Sequence, residues 1–399
     1  MVNINVAQGM RMRRRKLWIL AMMSVAALSF TACGSKQEET PASEEVVDFG
    51  KLTGKNDTAQ TEQAQTEETA TEVQTEEENR EGMYRSEITN EWIDESLKDQ
   101  RPVAVMVDNE KTALPHYGLT EADVVYEIMN STANGRITRL MAIVKDWGKI
   151  TQFGSIRSTR PTNIMLAAEW NAVLCHDGGP FYINDWLAKK YSANFSGTFS
   201  RVNNGKSREF TEYICTGDLD KNLSNSKYDD FYNYFGGAVA AAEQAKGEKT
   251  EAYVFSDSEI TPGDGAIDAT QIKLPFSHNG STLKYNAETG TYDYYEYGSA
   301  HVDPAHDNAV LTFKNVILQN CTFSQLDDNG YMIYNAIDSG RDAYYITNGK
   351  AVEVTWIKAG ESDPTIYLDK KTGEQIEMNT GKTYVSLVPS DSWSDMAIQ

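Results

Sequence analysis

Pro102-Val103-Ala104-Val105-Met106-Val107-Asp108 is a short apolar run closed by an acid. It is too short for a helix and does not alternate, so it predicts a strand covered on both faces. Residues 122–128, with Val124, Val125 and Ile128, read the same way, as do residues 140–144 and 172–176. Between them, residues 163–170 carry a helical apolar face of Ile164, Leu166, Ala167 and Trp170. Residues 182–191 and 228–246 also read as helices, the latter broken at Gly236-Gly237, and Ile88, Trp92, Ile93 and Leu97 recur at helical spacing. Strands and helices in rough alternation predict an α/β layered N-terminal domain over residues 84–250.

Beyond residue 251 the texture changes to strands punctuated by turns. Asn279-Gly280 separates residues 272–276 from 282–285, and Asn348-Gly349 separates 344–347 from 351–357. Such dipeptides supply the positive φ angles of tight hairpins. Glu288-Thr289-Gly290 and Lys371-Thr372-Gly373 mark further turns, and residues 385–388 would close the set. The prediction is a mostly antiparallel, β-rich C-terminal domain over residues 251–399, making the chain α+β as a whole.

Ahead of both domains stands an address. Arg11, Arg13, Arg14, Arg15 and Lys16 precede an apolar run from Leu17 to Leu28. That order is an export leader, and the run falls short of the ~20 residues of a membrane span. It closes with Phe30-Thr31-Ala32-Cys33-Gly34-Ser35. Small residues before a Cys, with Gly and Ser after it, resemble the bacterial lipobox, with Phe30 where Leu is commoner. Residues 1–33 are thus read as a lipoprotein signal, and Cys33 as the site of acylation by palmitate-type chains. Each buried methylene contributes about 0.8 kcal/mol, so two or three chains anchor durably. Residues 34–83, rich in Glu, Gln, Thr and Ala, are expected to form a disordered acidic linker. The expected location is the extracytoplasmic face of the cell membrane. A formal net charge of −21 argues against nucleic acid as a partner.

Several stretches resemble the YerB-like family of bacterial lipoproteins, a domain family without an established activity. They include Arg101 to Asn109, Ala122-Asp123-Val124-Val125-Tyr126-Glu127, and Gly135-Arg136-Ile137-Thr138-Arg139. Gly154-Ser155-Ile156-Arg157-Ser158-Thr159-Arg160-Pro161, His176-Asp177-Gly178-Gly179 and Val354-Thr355-Trp356-Ile357-Lys358 continue the likeness. The resemblance covers nearly all of the chain after the linker. It implies a two-part fold and supplies no catalytic residues. Asn130-Ser131-Thr132-Ala133-Asn134 departs from the shorter, Gly-rich loop that the family tends to carry there.

For chemistry, Arg157-Ser158-Thr159-Arg160 is the most informative cluster, with two forked cations and two hydroxyls just before a helix. Arg139, Arg136, Asp108, Glu127 and His176 are candidates to join it. The functional reading is a pocket for an anionic cell-wall or envelope component. The plainer reading has Arg157 and Arg160 pairing with Asp108, Glu127 and Asp123 to pin loops. An enzyme alternative, an envelope hydrolase or transferase, would use His176 as base with Asp108 or Asp177 orienting it and Ser155 or Ser158 as nucleophile. No Gly-x-Ser-x-Gly elbow supports that, so a binding or scaffold module is favoured. No Gly-x-Gly-x-x-Gly and no Walker motif occurs, so no cofactor is expected. His301-Val302-Asp303-Pro304-Ala305-His306-Asp307 holds metal-ligand types, yet without a motif it reads as a solvated loop. Tyr292, Tyr294, Tyr295 and Tyr297 suggest either a carbohydrate-stacking face or a sheet with one face covered. Apart from Cys33, Cys175, Cys215 and Cys321 leave an odd remainder whose pairing spacing does not establish.

Overall fold

Strand β1 (Val103–Asp108) lies inside an eleven-stranded sheet. The computed structural model describes residues 80–228 and 252–399. The export leader, Cys33, nearly all of the linker and the helix expected over 228–246 lie outside the described residues.

Within the sheet, β1 pairs antiparallel with β3 (Thr138–Val144), which pairs antiparallel with β2 (Val124–Met129). Every residue of these three strands is buried. Double-sided cover explains why they read as unbroken apolar runs. On the other side of β1, β4 (Val173–His176) and then β5 (Asn194–Ser196) join in parallel. The far half of the sheet is built from β6 (Ile267–Asp268), β7 (Asn315–Cys321), β8 (Asp338–Thr347), β9 (Lys350–Lys358), β10 (Ile366–Asp369) and β11 (Thr383–Pro389). The order is β6-β9-β8-β7-β11-β2-β3-β1-β4-β5, with β10 also on β9.

The expected hairpins form. Asn348 and Gly349, at φ of 50° and 73°, make the two-residue turn between β8 and β9. Ile272 pairs with Leu283 across the Asn279-Gly280 turn in a second, six-stranded sheet. There Tyr292 and Tyr294 are buried, as a sheet with one covered face requires.

Three expectations are corrected. Residues 385–388 do not close an antiparallel set: β11 sits at the middle of the sheet, parallel to both β7 and β2. Parallel neighbours need long crossovers, so no turn signal reveals the pairing. Ile88, Trp92, Ile93 and Leu97 form no helix. Met83–Arg85 and Trp92–Asp94 pair as a hairpin instead, turned by Asn90 at φ 58°. So short a helix gains little for its nucleation cost. Finally, the described residues are β-rich with few helices. α1 (Pro161–Glu169) is nine residues, Ile183–Leu187 only five and Asp218–Ser224 seven. The α/β layering expected over residues 84–250 therefore does not emerge among the described residues.

Candidate functional site

Residues 155–159 lace the ends of β1 and β4 together. Ser155 O accepts from Asp108 N at 3.1 Å, Arg157 N donates to Met106 O at 3.1 Å, and Asp177 N donates to Arg157 O at 3.0 Å. Pro161 then opens α1 with the fixed φ that suits a first helical position. The segment delivers Arg157, Ser158 and Arg160 to one place, where Arg139 arrives from β3.

Arg157 is ion-paired with acids, although its Nε and Asp108 Oδ2 are not aligned as a hydrogen bond. Its Nε lies 2.5 Å from Asp108 Oδ2 and its Nη2 3.0 Å from Glu209 Oε2. The loop-pinning reading therefore describes this residue well. Arg139 and Arg160 differ. They are 8% and 3% exposed, and no carboxylate among the described residues pairs with either. Arg139 Nη1 donates to Ser158 O at 2.6 Å and Oγ at 2.7 Å. Arg160 Nη1 donates to Thr159 O at 2.7 Å and Ser158 Oγ at 3.1 Å, with its guanidinium 3.9 Å from the Tyr331 ring centre. Arg139 Nε and Arg160 Nε and Nη2 have no hydrogen-bond partner. Burial, then the neighbouring Arg160 charge, push the Arg139 guanidinium down to about 9, and burial lowers Arg160 too. Asp108 and Asp327 offset this only from a distance, so neither group has the close ion pair that buried charge ordinarily requires.

A narrow crevice adjoins them, lined in part by Asn130, Asn163 and Met332. Asn130 Oδ1 and Asn163 Nδ2 are buried there without partners. The crevice is too narrow to hold a water molecule as it stands.

Other sequence candidates lie elsewhere. Glu127 is opposite Leu140 in register, whereas Arg139 is opposite Ile128 and Asp108. Adjacent strand positions point to opposite faces, so Glu127 leaves the arginine cluster. Its carboxylate accepts instead from Asn109, Thr138, Asn279, Ser281, Tyr294 and Tyr384. Arg136 pairs with Asp391, both nitrogens at 2.7 Å, and also stays apart. His176 Nδ1 lies 2.8 Å from Gly178 O and must carry the proton. Its Nε2 lies 3.3 Å from the Asn194 amide, and burial lowers its pKa. That contact is to Asn194 Oδ1, so with the proton on Nδ1 the Nε2 lone pair is bonded only when the amide turns its NH2 to the ring. Cys175, Cys215 and Cys321 are free thiols.

The loop 301–307 is not a solvated ring of ligands. Asp303 accepts from Gly118 N at 3.0 Å and Thr120 N at 3.1 Å, while His306 reaches Glu121 at 2.5 Å. His301 turns inward to His116, with which it shares a 2.9 Å contact. Burial lowers His116 to about 4; burial and then His116 lower His301 to about 3, so both rings are neutral. Neither His116 nor its neighbour Glu296 was visible as a candidate, because His116 and His301 are 185 residues apart. Gly118, at φ 81°, lets the chain after His116 run close against residues 152–153: a Cβ there would sit 2.6 Å from Phe153 Cδ2 and 2.7 Å from Gln152 O. Gly118→Ala is expected to cost about 1–3 kcal/mol in denaturant unfolding, from strain plus overpacking.

Two family models match the chain: "Protein of unknown function (DUF3048) N-terminal domain" over residues 88–229 and "Protein of unknown function (DUF3048) C-terminal domain" over residues 272–385. A Bacillus subtilis (strain 168) relative described as "Putative lipoprotein YerB" is 24% identical over 314 residues, covering 76% of this chain and 86% of its own. The crystal structure of the YerB protein from Bacillus subtilis superposes with a TM-score of 0.64 at 19% identity, covering 79% of this chain and 99% of that one. At that identity the likeness concerns the fold.

Proposed function

Because this chain belongs to the DUF3048 family, a two-domain family of unknown function, we propose that it is a lipid-anchored binding module of the cell envelope that accepts an anionic group at Arg139, Ser158 and Arg160. One observation carries the reading: two buried guanidinium groups converge on a single hydroxyl with no carboxylate among the described residues in contact with either, Asp108 and Asp327 acting on them only from farther off. A carboxylate or phosphate oxygen would supply the missing acceptors and charge. Cys33 and the basic-then-apolar leader support the anchor, as does the lipoprotein description of the relative. The domain division at about residue 250 belongs to the same reading. The hydrolase or transferase alternative gains nothing, since His176 Nδ1 is held by the Gly178 carbonyl and Nε2 faces Asn194 rather than Ser155 or Ser158.

Inorganic phosphate titrated into the purified chain at constant ionic strength tests this. A ligand binding only the folded state adds about 2.7 kcal/mol at a hundredfold excess over Kd. The expected result is a melting temperature that climbs with phosphate. Arg160→Gln should melt no lower than the parent without phosphate, since an unpaired buried charge is gone, and should not respond to it. A large loss of stability in Arg160→Gln, with no phosphate response in the parent, would return both arginines to loop pinning.

A further inference from the structure

We propose that His116, Glu296 and His301 form an internal binding site for one divalent ion of the zinc type. The three side chains are 0%, 2% and 3% exposed. His116 Nδ1, His301 Nε2 and Glu296 Oε1 form a triangle with sides of 2.9, 3.7 and 3.8 Å. The circle through three such points has a radius of about 2.0 Å, which matches the ~2.0–2.2 Å of zinc–imidazole and zinc–carboxylate bonds. Two nitrogens and one carboxylate oxygen are a donor set that suits zinc and its first-row neighbours.

The surroundings ask for a cation. Both Glu296 oxygens are buried, with the Asn279 amide nearby but no hydrogen bond of full geometry to either. Glu127, the next charge felt by Glu296, is held by neutral donors only. No Lys or Arg among the described residues pairs with Glu296, whose ion-pair contacts are the two imidazoles alone. Neutral imidazole is the form that ligates a metal. The two rings now share one proton between the facing nitrogens. On metal binding those nitrogens present lone pairs, and the protons sit on His116 Nε2 and His301 Nδ1. The main-chain groups of Asp108 and His301 lie near the two rings, though neither outer nitrogen has a full hydrogen bond. Metal-bound histidines habitually donate to main-chain carbonyls. Three protein ligands leave one position for water.

The site would also staple the chain. His116 comes from the segment matched by the N-terminal family model, whereas Glu296 and His301 come from the C-terminal one. An ion there ties the two together, so binding should raise stability.

The test uses the full chain, stripped with a chelator and titrated with Zn2+ alone. Binding of one equivalent with a rise in melting temperature is expected. Glu296→Gln and His301→Gln should each weaken binding by more than about tenfold, while His306→Gln leaves it unchanged. Co2+ read in the parent chain keeps the proposal open to refutation if the variants do not fold: intense visible absorption of a four-coordinate ion supports it, and the weak absorption of a six-coordinate ion overturns it. Absence of retained Zn2+ and of any thermal shift also overturns it, as does unchanged affinity in Glu296→Gln and His301→Gln.

Discussion

Replacing Lys358 with Met is expected to lower the unfolding free energy by about 3–5 kcal/mol, the range for breaking one side of a buried ion pair. Lys358 Nζ lies 2.8 Å from Glu169 Oε2, and the two side chains are 0% and 3% exposed. Lys358 also donates to the Asp363 carbonyl. Glu169 accepts from Thr365 Oγ1 at 2.8 Å and from Tyr126 OH at 2.6 Å, and that phenol accepts from Trp170 Nε1. Met fills nearly the volume of the lysine stem, so the loss would come from the stranded carboxylate rather than from a cavity. Pairing Lys358→Met with Glu169→Gln should recover much of it, because the uncompensated charge is then gone. Guanidinium unfolding of the two singles and the double closes the cycle. A loss under about 1 kcal/mol for Lys358→Met would place this pair with weak surface bridges. Glu169 ends α1, the helix that Arg160 precedes, and Lys358 ends β9. The pair therefore fixes the helix that frames the arginine cluster.

What the sequence shows of this fold is its local part. The buried runs at 103–108 and 138–144 are strands because nothing polar interrupts them, and that survives any tertiary arrangement. The Asn-Gly turns likewise act through their own backbone angles. Pairing order is different. β11 reaches β2 across 253 intervening residues, between Met129 and Thr383, and no periodicity encodes which parallel neighbour a strand takes. The candidate site divides along the same line. Arg157, Ser158, Arg160 and His176 sit at strand and helix ends that local pattern locates. Arg139 joins them through register, and Glu127 departs through register, since a single position along β2 decides its face. His116, Glu296 and His301 meet only through the packing of the six-stranded sheet on the rest, so no spacing announces them. His301 was noticed for its neighbours Asp303 and His306, which turn out to serve the 118–121 loop instead.

Glu127→Ala is expected to destabilise the protein by about 3–5 kcal/mol, with far more of the loss in Ala than in Gln. Oε1 accepts from Thr138 Oγ1 at 2.8 Å, Asn279 Nδ2 at 2.8 Å, Ser281 Oγ at 2.6 Å and Asn109 Nδ2 at 3.4 Å, and Oε2 from Tyr294 and Tyr384. Asn109 and Thr138 belong to the first half of the chain and the other four to the second. Alanine strands all of these buried donors and leaves no room for bulk water to replace the acceptor. Glutamine keeps the shape. Its carbonyl can take the Oε1 place, and its NH2 then faces two phenols, which can rotate and accept. Asn279 has no such freedom, because an amide NH2 only donates. Glu127→Gln should therefore lose about 1–2 kcal/mol, charge-assisted bonds becoming ordinary ones. Equal losses for Ala and Gln in urea unfolding would mean that the carboxylate's charge, not its geometry, holds these six donors.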